Sequence, residues 1–506
     1  MDATKVAGCF KDRTILVTGS TGFLGKLLVE KILRVQPAVK KLYLLVRAPD
    51  DAAAEQRVLH EVIGKELFSV LWEKHGAGFQ SFIEEKISPL AGDMIYENLG
   101  LENTRAKRLF EEIDIIVNVA ATTNFYERYD VSLASNTFGI IHICKFAKQC
   151  AHLKLLLHVS TAYVAGKQKG QIMEKPLQMG QTLKKGRCLD IEAELELANE
   201  VKAKLVRERS DTDTSHQKLE KVAMKELGLQ RAKYFGWPNV YAFTKAMREM
   251  LLGTLREDLP VVIVRPSIVL STLQDPFPGW IEGIRTMDVM IAASYEQKLP
   301  CFIGGPMLDS EMFPFVPGDM VVNATMVAMA THYDCAGTQE VYHVTSALEN
   351  PLSCNLLEES MYGYVLINPR VRDDKRTIQH KRPLLFRRYA YLHAYVVLAY
   401  KTRLQVLYLA NYLLLCGRFT EYHNKLNKSL NYLMFMAKLY TPYIFFKGCF
   451  DDTNLRKLWR MTGAGHDDGY TFNFDAKCIN WRRYLFNTHI PAVLKEADHM
   501  KKQGRA

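Results

Sequence analysis

Five stretches of the chain are continuously or nearly continuously apolar: TILVT (14–18), KLYLLVR (41–47), IDIIVNVAA (113–121), LKLLLHVST (153–161) and LPVVIVRPSIV (259–269). Each is short and dominated by Leu, Ile and Val, which predicts strands buried on both faces. Between them, helical patterns run through 26–35, 105–112, 134–150 and 240–256. Strands alternating with helices predict an α/β fold: a Rossmann-type, doubly wound parallel sheet covered on both faces.

The rhythm breaks twice. Residues 174–235 are highly charged and suit exposed helices, so they read as an insertion on the sheet domain. Near Asn350-Pro351 the alternation stops, and a region rich in Tyr, Leu and Phe begins. The expected organisation is a nucleotide-binding domain over 1–350 and a mainly helical C-terminal domain over 351–506. Within the latter, 386–416 is strongly apolar but interrupted by Lys401 and Arg403, with Lys381, Arg382, Arg387 and Arg388 crowding its start. Each uninterrupted half is too short to cross a bilayer. The pattern predicts either buried core or a hairpin or in-plane helix resting on a membrane, its basic residues meeting anionic headgroups.

Composition narrows the chemistry. The net charge is +11, with no basic block that would suggest nucleic-acid binding. The excess reads as a solvated surface or as a preference for phosphates, coenzyme A or acidic headgroups. Ten cysteines include no Cys-x-x-Cys pair and no adjacent His cluster, which points away from a metal site or a disulfide framework and towards a reduced intracellular protein. The first residues lead almost straight into a strand, without the pattern of a secretory signal or transit peptide.

Directly after the first strand, GSTGFLG (Gly19, Ser20, Thr21, Gly22, Phe23, Leu24, Gly25) opens a helix. Small residues there let the chain turn tightly, and let backbone N–H groups at the helix N-terminus approach a pyrophosphate. The second strand ends in Arg47, with no acid until Asp50. A guanidinium accepts a 2′-phosphate where an acid would repel it, so NADPH is expected over NADH. Asp93, in AGD after a short strand, is a candidate for the adenine end.

Tyr241 and Lys245 stand one helical turn apart, on one face of the segment that follows Trp237-Pro238-Asn239, a helix-start signal. The spacing is weak by itself, since Tyr163/Lys167 and Tyr443/Lys447 share it. Only the first pair lies on a helix followed by the VVIVRPSIV strand. A phenol titrates near pH 10. An ammonium about 4 Å away contributes roughly 4 kcal/mol at a dielectric near 20, or about three pKa units, enough to make it a working acid–base group. Ser160 and Thr161, at the end of the fourth strand, offer a hydroxyl to polarise a carbonyl. Thr161 is preferred and Ser160 held in reserve, the two being expected on opposite strand faces.

In this order, GSTGFLG, LLVR, NVAATTNF, NTFG, HVSTAYV, the Tyr241/Lys245 pair and VRPSIV resemble an extended short-chain dehydrogenase/reductase. More narrowly, the chain resembles the plant-type alcohol-forming fatty acyl-CoA reductases. FDDTNLRKLW, FNFD and INWRRYLFNTHIPAVLK are similar to their C-terminal domain, so the likeness spans nearly the whole chain. The resemblance implies a cofactor groove lined by Asn118, Ala120 and Asn136, with Pro266 at the nicotinamide and Thr161, Tyr241 and Lys245 catalytic. Thr161 and Tyr241 are 80 residues apart, more than is usual in the superfamily, and the 174–235 insertion accounts for the excess. The implied reaction takes long-chain fatty acyl-CoA to a primary alcohol through an aldehyde; the apolar 386–416 segment points to the cytosolic face of the endoplasmic reticulum, with cytoplasm or plastid as alternatives. Other readings are a sterol dehydrogenase or nucleotide-sugar epimerase of the same fold, or a catalytically silent lipid-binding protein.

Overall fold

The computed structural model describes residues 1–207, 213–304, 312–370, 381–414, 417–465 and 469–504. Seven parallel strands build the main sheet: β1 (Thr14–Thr18), β2 (Lys41–Val46), β3 (Ile87–Ala91), β4 (Ile115–Asn118), β5 (Leu155–Val159), β6 (Val261–Pro266) and β7 (Gln339–Val344). Their spatial order is β7-β6-β5-β4-β1-β2-β3. The direction of winding reverses between β1 and β4, which opens a crevice at their carboxyl ends. Register brings the chemistry-bearing ends together: Thr18 lies opposite Asn118, Asn118 opposite His158, and Val159 opposite Val264. The central strands β1, β4, β5 and β6 are buried at every position, as their unbroken apolar runs require.

The helices of this part of the chain include α1 (Phe23–Val35), α2 (Gly139–Gln149), α3 (Ile191–Arg207), α4 (Asp213–Phe235), α5 (Val240–Leu255) and α6 (Gly318–His332). A π-helical turn, Leu133–Phe138, leads into α2. The expected insertion contains α3 and α4, and it is anchored rather than loose. Glu194 of α3 is buried, accepts the Tyr129 hydroxyl at 2.7 Å, and is held by Arg231 of α4 at 2.9 Å. Helix α5 starts where the Trp-Pro-Asn signal placed it. The Asn239 side chain caps the Ala242 N–H at 2.9 Å, and the Trp237 indole donates to the Val164 carbonyl at 2.8 Å.

The chain divides into two compact units, and the division is more interleaved than a single boundary at 350. One unit comprises Met1–Trp280, Pro314–Asn350 and Gly448–Ile479; the other comprises Ile281–Phe313, Pro351–Lys447 and Asn480–Ala506. Local pairing explains the return of 448–479 to the first unit. Gly448–Phe450 forms a parallel ladder with Gly170–Ile172, and the Asn454 side chain donates to the Val341 carbonyl of β7 at 3.1 Å. The second unit is mainly helical and includes α7 (Thr402–Leu414) and α8 (Thr420–Ile444).

Candidate active site

The glycine-rich turn has the geometry of an anion cradle. Gly19 takes a left-handed φ of +75°, and a Cβ there would sit 2.6 Å from the Ala120 nitrogen. A Cβ on Gly25 would fall 2.2 Å from the Gly19 carbonyl oxygen, so α1 packs against the turn at a distance only glycine permits. Gly22 is the N-cap of α1 and supplies no side chain to satisfy the helix's first N–H groups. The Ser20 hydroxyl is buried without a hydrogen-bond partner among the described residues. Free N–H groups and an orphaned hydroxyl around a tight turn fit the pyrophosphate of a dinucleotide.

At the end of β2, Arg47 is exposed. Its carbonyl accepts from Arg57 at 2.6 Å, whereas its guanidinium makes no hydrogen bond or ion pair among the described residues. Asp50 is occupied locally, capping the helix Asp51–Val58 through the Ala53 N–H at 2.8 Å. Asp93 accepts from the Ile95 N–H at 3.2 Å, which stabilises the turn after β3.

The β4 end is held from several sides. Asn118 accepts the Thr18 hydroxyl at 2.9 Å and an Arg248 N–H at 3.2 Å. The Ala120 carbonyl accepts a second Arg248 N–H at 2.8 Å. Asn136, in the π-helical turn, grips the loop after β4 by accepting from the Thr122 N–H and donating to the Thr122 carbonyl, both at 2.9 Å. It also donates to Thr244 of α5 at 3.3 Å. Asn118, Ala120 and Asn136 therefore share one groove wall, and Arg248 ties that wall to the helix carrying Tyr241.

The proton-handling groups gather at the ends of β5 and β6. Lys245 is fully buried and donates to the Val159 carbonyl at 2.7 Å. Burial first, then the charge of Arg248, pushes its pKa well below the usual lysine value, and Glu249 pulls in the opposite direction. Tyr241, one turn earlier, is half-buried and stacks on Phe125 with ring centroids 5.7 Å apart. His158 is fully buried, and burial together with Lys245 and Arg248 holds it neutral.

β5 ends at Val159, so the strand alternation expected to separate Ser160 from Thr161 does not operate there. Both residues are buried, but their hydroxyls are used differently. Thr161 caps the Tyr163 N–H at 3.3 Å and lies 3.5 Å from the Pro266 carbonyl, a long and weak donation. The Ser160 hydroxyl has no partner among the described residues. The competing Tyr163 packs edge-on to Phe450 in the first unit's core, and Tyr443 belongs to α8 of the second unit.

Arg248 and Phe125 had no place in the sequence-based site. For Arg248 a signal existed: a charged Arg-Glu pair interrupts an otherwise apolar helix three residues after Lys245. Phe125 lies in an irregular loop and carried no comparable pattern.

Two family models, both described as "Male sterility protein", match the chain: NAD_binding_4 over residues 17–325 and Sterile over residues 403–496. The chain is 43% identical over 496 residues to "Fatty acyl-CoA reductase 1" of Arabidopsis thaliana, covering 97% of this chain and 98% of that one. It is likewise 43% identical over 490 residues to "Alcohol-forming fatty acyl-CoA reductase" of Simmondsia chinensis, covering 96% and 97%. Among solved structures, the reductase domain of a non-ribosomal peptide synthetase from Mycobacterium tuberculosis aligns with a TM-score of 0.56 at 17% identity, covering 100% of this chain and 97% of that one. The terminal R domain of the myxalamid pathway aligns at 0.55 and 19%, covering 98% and 92%. At those identities the structural likeness speaks to the fold alone.

Proposed function

Because the chain belongs to the male sterility protein family, with fatty acyl-CoA reductases as its relatives, we propose that it reduces long-chain fatty acyl-CoA to primary alcohol with NADPH. A nicotinamide dinucleotide is the family's cofactor class. Arg47 supports the phosphorylated form, since its guanidinium stands exposed at the end of β2 and makes no hydrogen bond or ion pair among the described residues. Gly19–Gly25 would hold the pyrophosphate, with Asn118, Ala120 and Asn136 along the groove and Pro266 beside the nicotinamide. Asp93 is the candidate at the adenine end. When bound, the nicotinamide supplies the hydride.

The protein's own residues then manage the oxygen and its proton. Tyr241 donates a proton to the oxygen as charge develops on it, and the cationic surroundings of Lys245 favour release of that proton. A hydroxyl from Thr161 or Ser160 donates to the same oxygen and stabilises it. In the first reduction the thioester becomes a hemithioacetal, whose C–S bond breaks to release coenzyme A thiol and leave an aldehyde. In the second the aldehyde carbon takes another hydride, and its oxygen takes a proton from Tyr241. The observation that carries this reading is the convergence at the β5 and β6 ends. Lys245 is anchored on Val159, and Thr161 lies beside Pro266, next to an unpartnered Ser160 hydroxyl.

The reading extends to a lipid surface contacted through about 386–416, at the cytosolic face of the endoplasmic reticulum. No helix among the described residues is long and apolar enough to cross a membrane. Support comes from α7, where Leu407, Leu413 and Leu414 are 66%, 74% and 79% exposed, which argues against a buried-core role within this unit. Residues 415 and 416 lie outside the described residues. Incubating the purified protein with NADPH or NADH and a panel of acyl-CoAs, then identifying lipid products, tests the activity. Fatty alcohol formed preferentially with NADPH is expected; failure to consume any acyl-CoA would overturn the reading.

A further inference from the structure

Arg248 is a fully buried cation with no carboxylate partner among the described residues. It is among the largest side chains below 2% exposure. Its guanidinium donates to the Ala120 carbonyl at 2.8 Å, the Asn118 side chain at 3.2 Å, the Met94 sulfur at 3.4 Å and the Ser135 carbonyl at 3.4 Å. Its Nε has no partner among the described residues. None of these acceptors is a carboxylate. The adjacent Glu249 is taken by Arg265, in a buried pair with Nε–Oε1 at 3.0 Å. Burying an uncompensated charge is unfavourable, and a well-packed apolar side chain would fill the same space more stably. A charge held in such surroundings calls for a use.

The position supplies one. Residues 241, 245 and 248 fall within about 60° of arc on α5, at 100° per residue, so the phenol, the ammonium and the guanidinium occupy one helix face. Burial pushes Arg248 down to about 10, an ionised Cys144 or Tyr241 would pull it back up, and the Arg248 charge in turn pushes Lys245 down. We infer that Arg248 is a positioning residue for both halves of the site: it fixes Asn118 and the Ala120 carbonyl in the groove wall, and it places its own charge on the helix face that carries Tyr241. The other groups facing this cluster are His158 on β5, which is neutral, the Cys144 thiol on α2, pushed up to about 12 by burial, and the Arg265–Glu249 pair. No other described carboxylate offsets the guanidinium.

The inference rests on Tyr241 as proton donor, and the test separates the two. Seven residues of helix span about 10.5 Å. At a dielectric near 20, removing a unit charge at that distance shifts a neighbouring pKa by about one unit. A phenol that loses a nearby cation holds its proton to higher pH, so the alkaline limb of kcat/KM for aldehyde reduction should move up. Arg248→Met should raise that limb by about one pH unit and raise the cofactor KM at least fivefold. Arg248→Lys keeps the charge but cannot span both Asn118 and Ala120. It should leave the limb in place while still raising the cofactor KM. Arg248→Gln replaces the methionine variant if that protein does not fold. An unmoved limb in the uncharged variant, or an equal shift in Arg248→Lys, would overturn the inference. If Tyr241→Phe retains turnover, the underlying site reading fails instead.

Discussion

The contrast between Gly25 and Gly22 offers a test that depends only on the cradle's geometry. A methyl group on Gly25 would lie 2.2 Å from the Gly19 oxygen and 2.9 Å from the Ser20 Cα, both backbone atoms. Ordinary contact begins near 3.4 Å, so turn and helix must separate by about 1 Å. Helix α1 cannot easily yield, because Phe23 stacks on Trp280 at 5.0 Å and a Cβ on Gly318 of α6 would already meet the Phe23 ring at 2.7 Å. Overpacking of this kind costs up to about 3 kcal/mol. With an unfolding entropy near 2 cal/mol/K per residue, that lowers Tm by roughly 4 °C in a unit of a few hundred residues. At Gly22 the same methyl would sit 3.3 Å from the Gly19 oxygen, a fit that small shifts can absorb. Gly22→Ala should therefore keep Tm within about 2 °C while weakening cofactor binding at least tenfold, because the methyl intrudes where the pyrophosphate approaches. Gly25→Ala should lose both stability and binding. Thermal unfolding of the cofactor-free variants and fluorescence titration with NADPH read the two effects separately. A Gly25→Ala protein with parental Tm would refute the packing argument, and a Gly22→Ala protein with parental affinity would refute the placement of the phosphates.

Other expectations follow from the same site. Arg47→Asp should raise the KM for NADPH at least tenfold and narrow the preference over NADH; an unchanged ratio of the two kcat/KM values would remove Arg47 from cofactor selection. Tyr241→Phe and Lys245→Ala should abolish product while cofactor binding stays measurable, whereas Tyr163→Phe and Tyr443→Phe should turn over. Thr161→Ala should slow turnover more than Ser160→Ala, and the opposite order transfers the carbonyl-holding role to Ser160. Fractionation with salt and carbonate washes should find the protein with membranes, and replacing Leu413 and Leu414 by Ser should release it. A wholly soluble parent protein would reject the lipid-surface reading.

What the sequence disclosed follows from burial. The strands β1, β4, β5 and β6 are covered on both faces, and their runs of Ile, Leu and Val announce them. The edge strands were harder to see. β3 contains Pro89, which an edge tolerates and an apolar-run search rejects, and only a short strand before Asp93 was expected there. β7 begins with half-buried Gln339 and Glu340 and went unrecognised. The glycine turn and the Tyr241 helix were legible because turn chemistry and capping are local. The interleaving of the two units was not, because the pairing of 448–450 with 170–172 joins segments far apart in the chain. Arg248 escaped for a related reason: a charge in a helix reads as solvent-facing unless the surrounding wall is known.

The central claim is that one site delivers two hydrides to the same carbon of a fatty acyl thioester. Supplying the purified protein with a saturated acyl-CoA and NADPH deuterated at the transferred position tests it directly, with mass spectrometry of the lipid product and thiol titration of released coenzyme A. The account predicts a primary alcohol carrying two deuterons on C1, with two NADPH oxidised for each thiol released. An aldehyde that accumulates with one deuteron and one NADPH per thiol, or an acyl-CoA left intact, would contradict it.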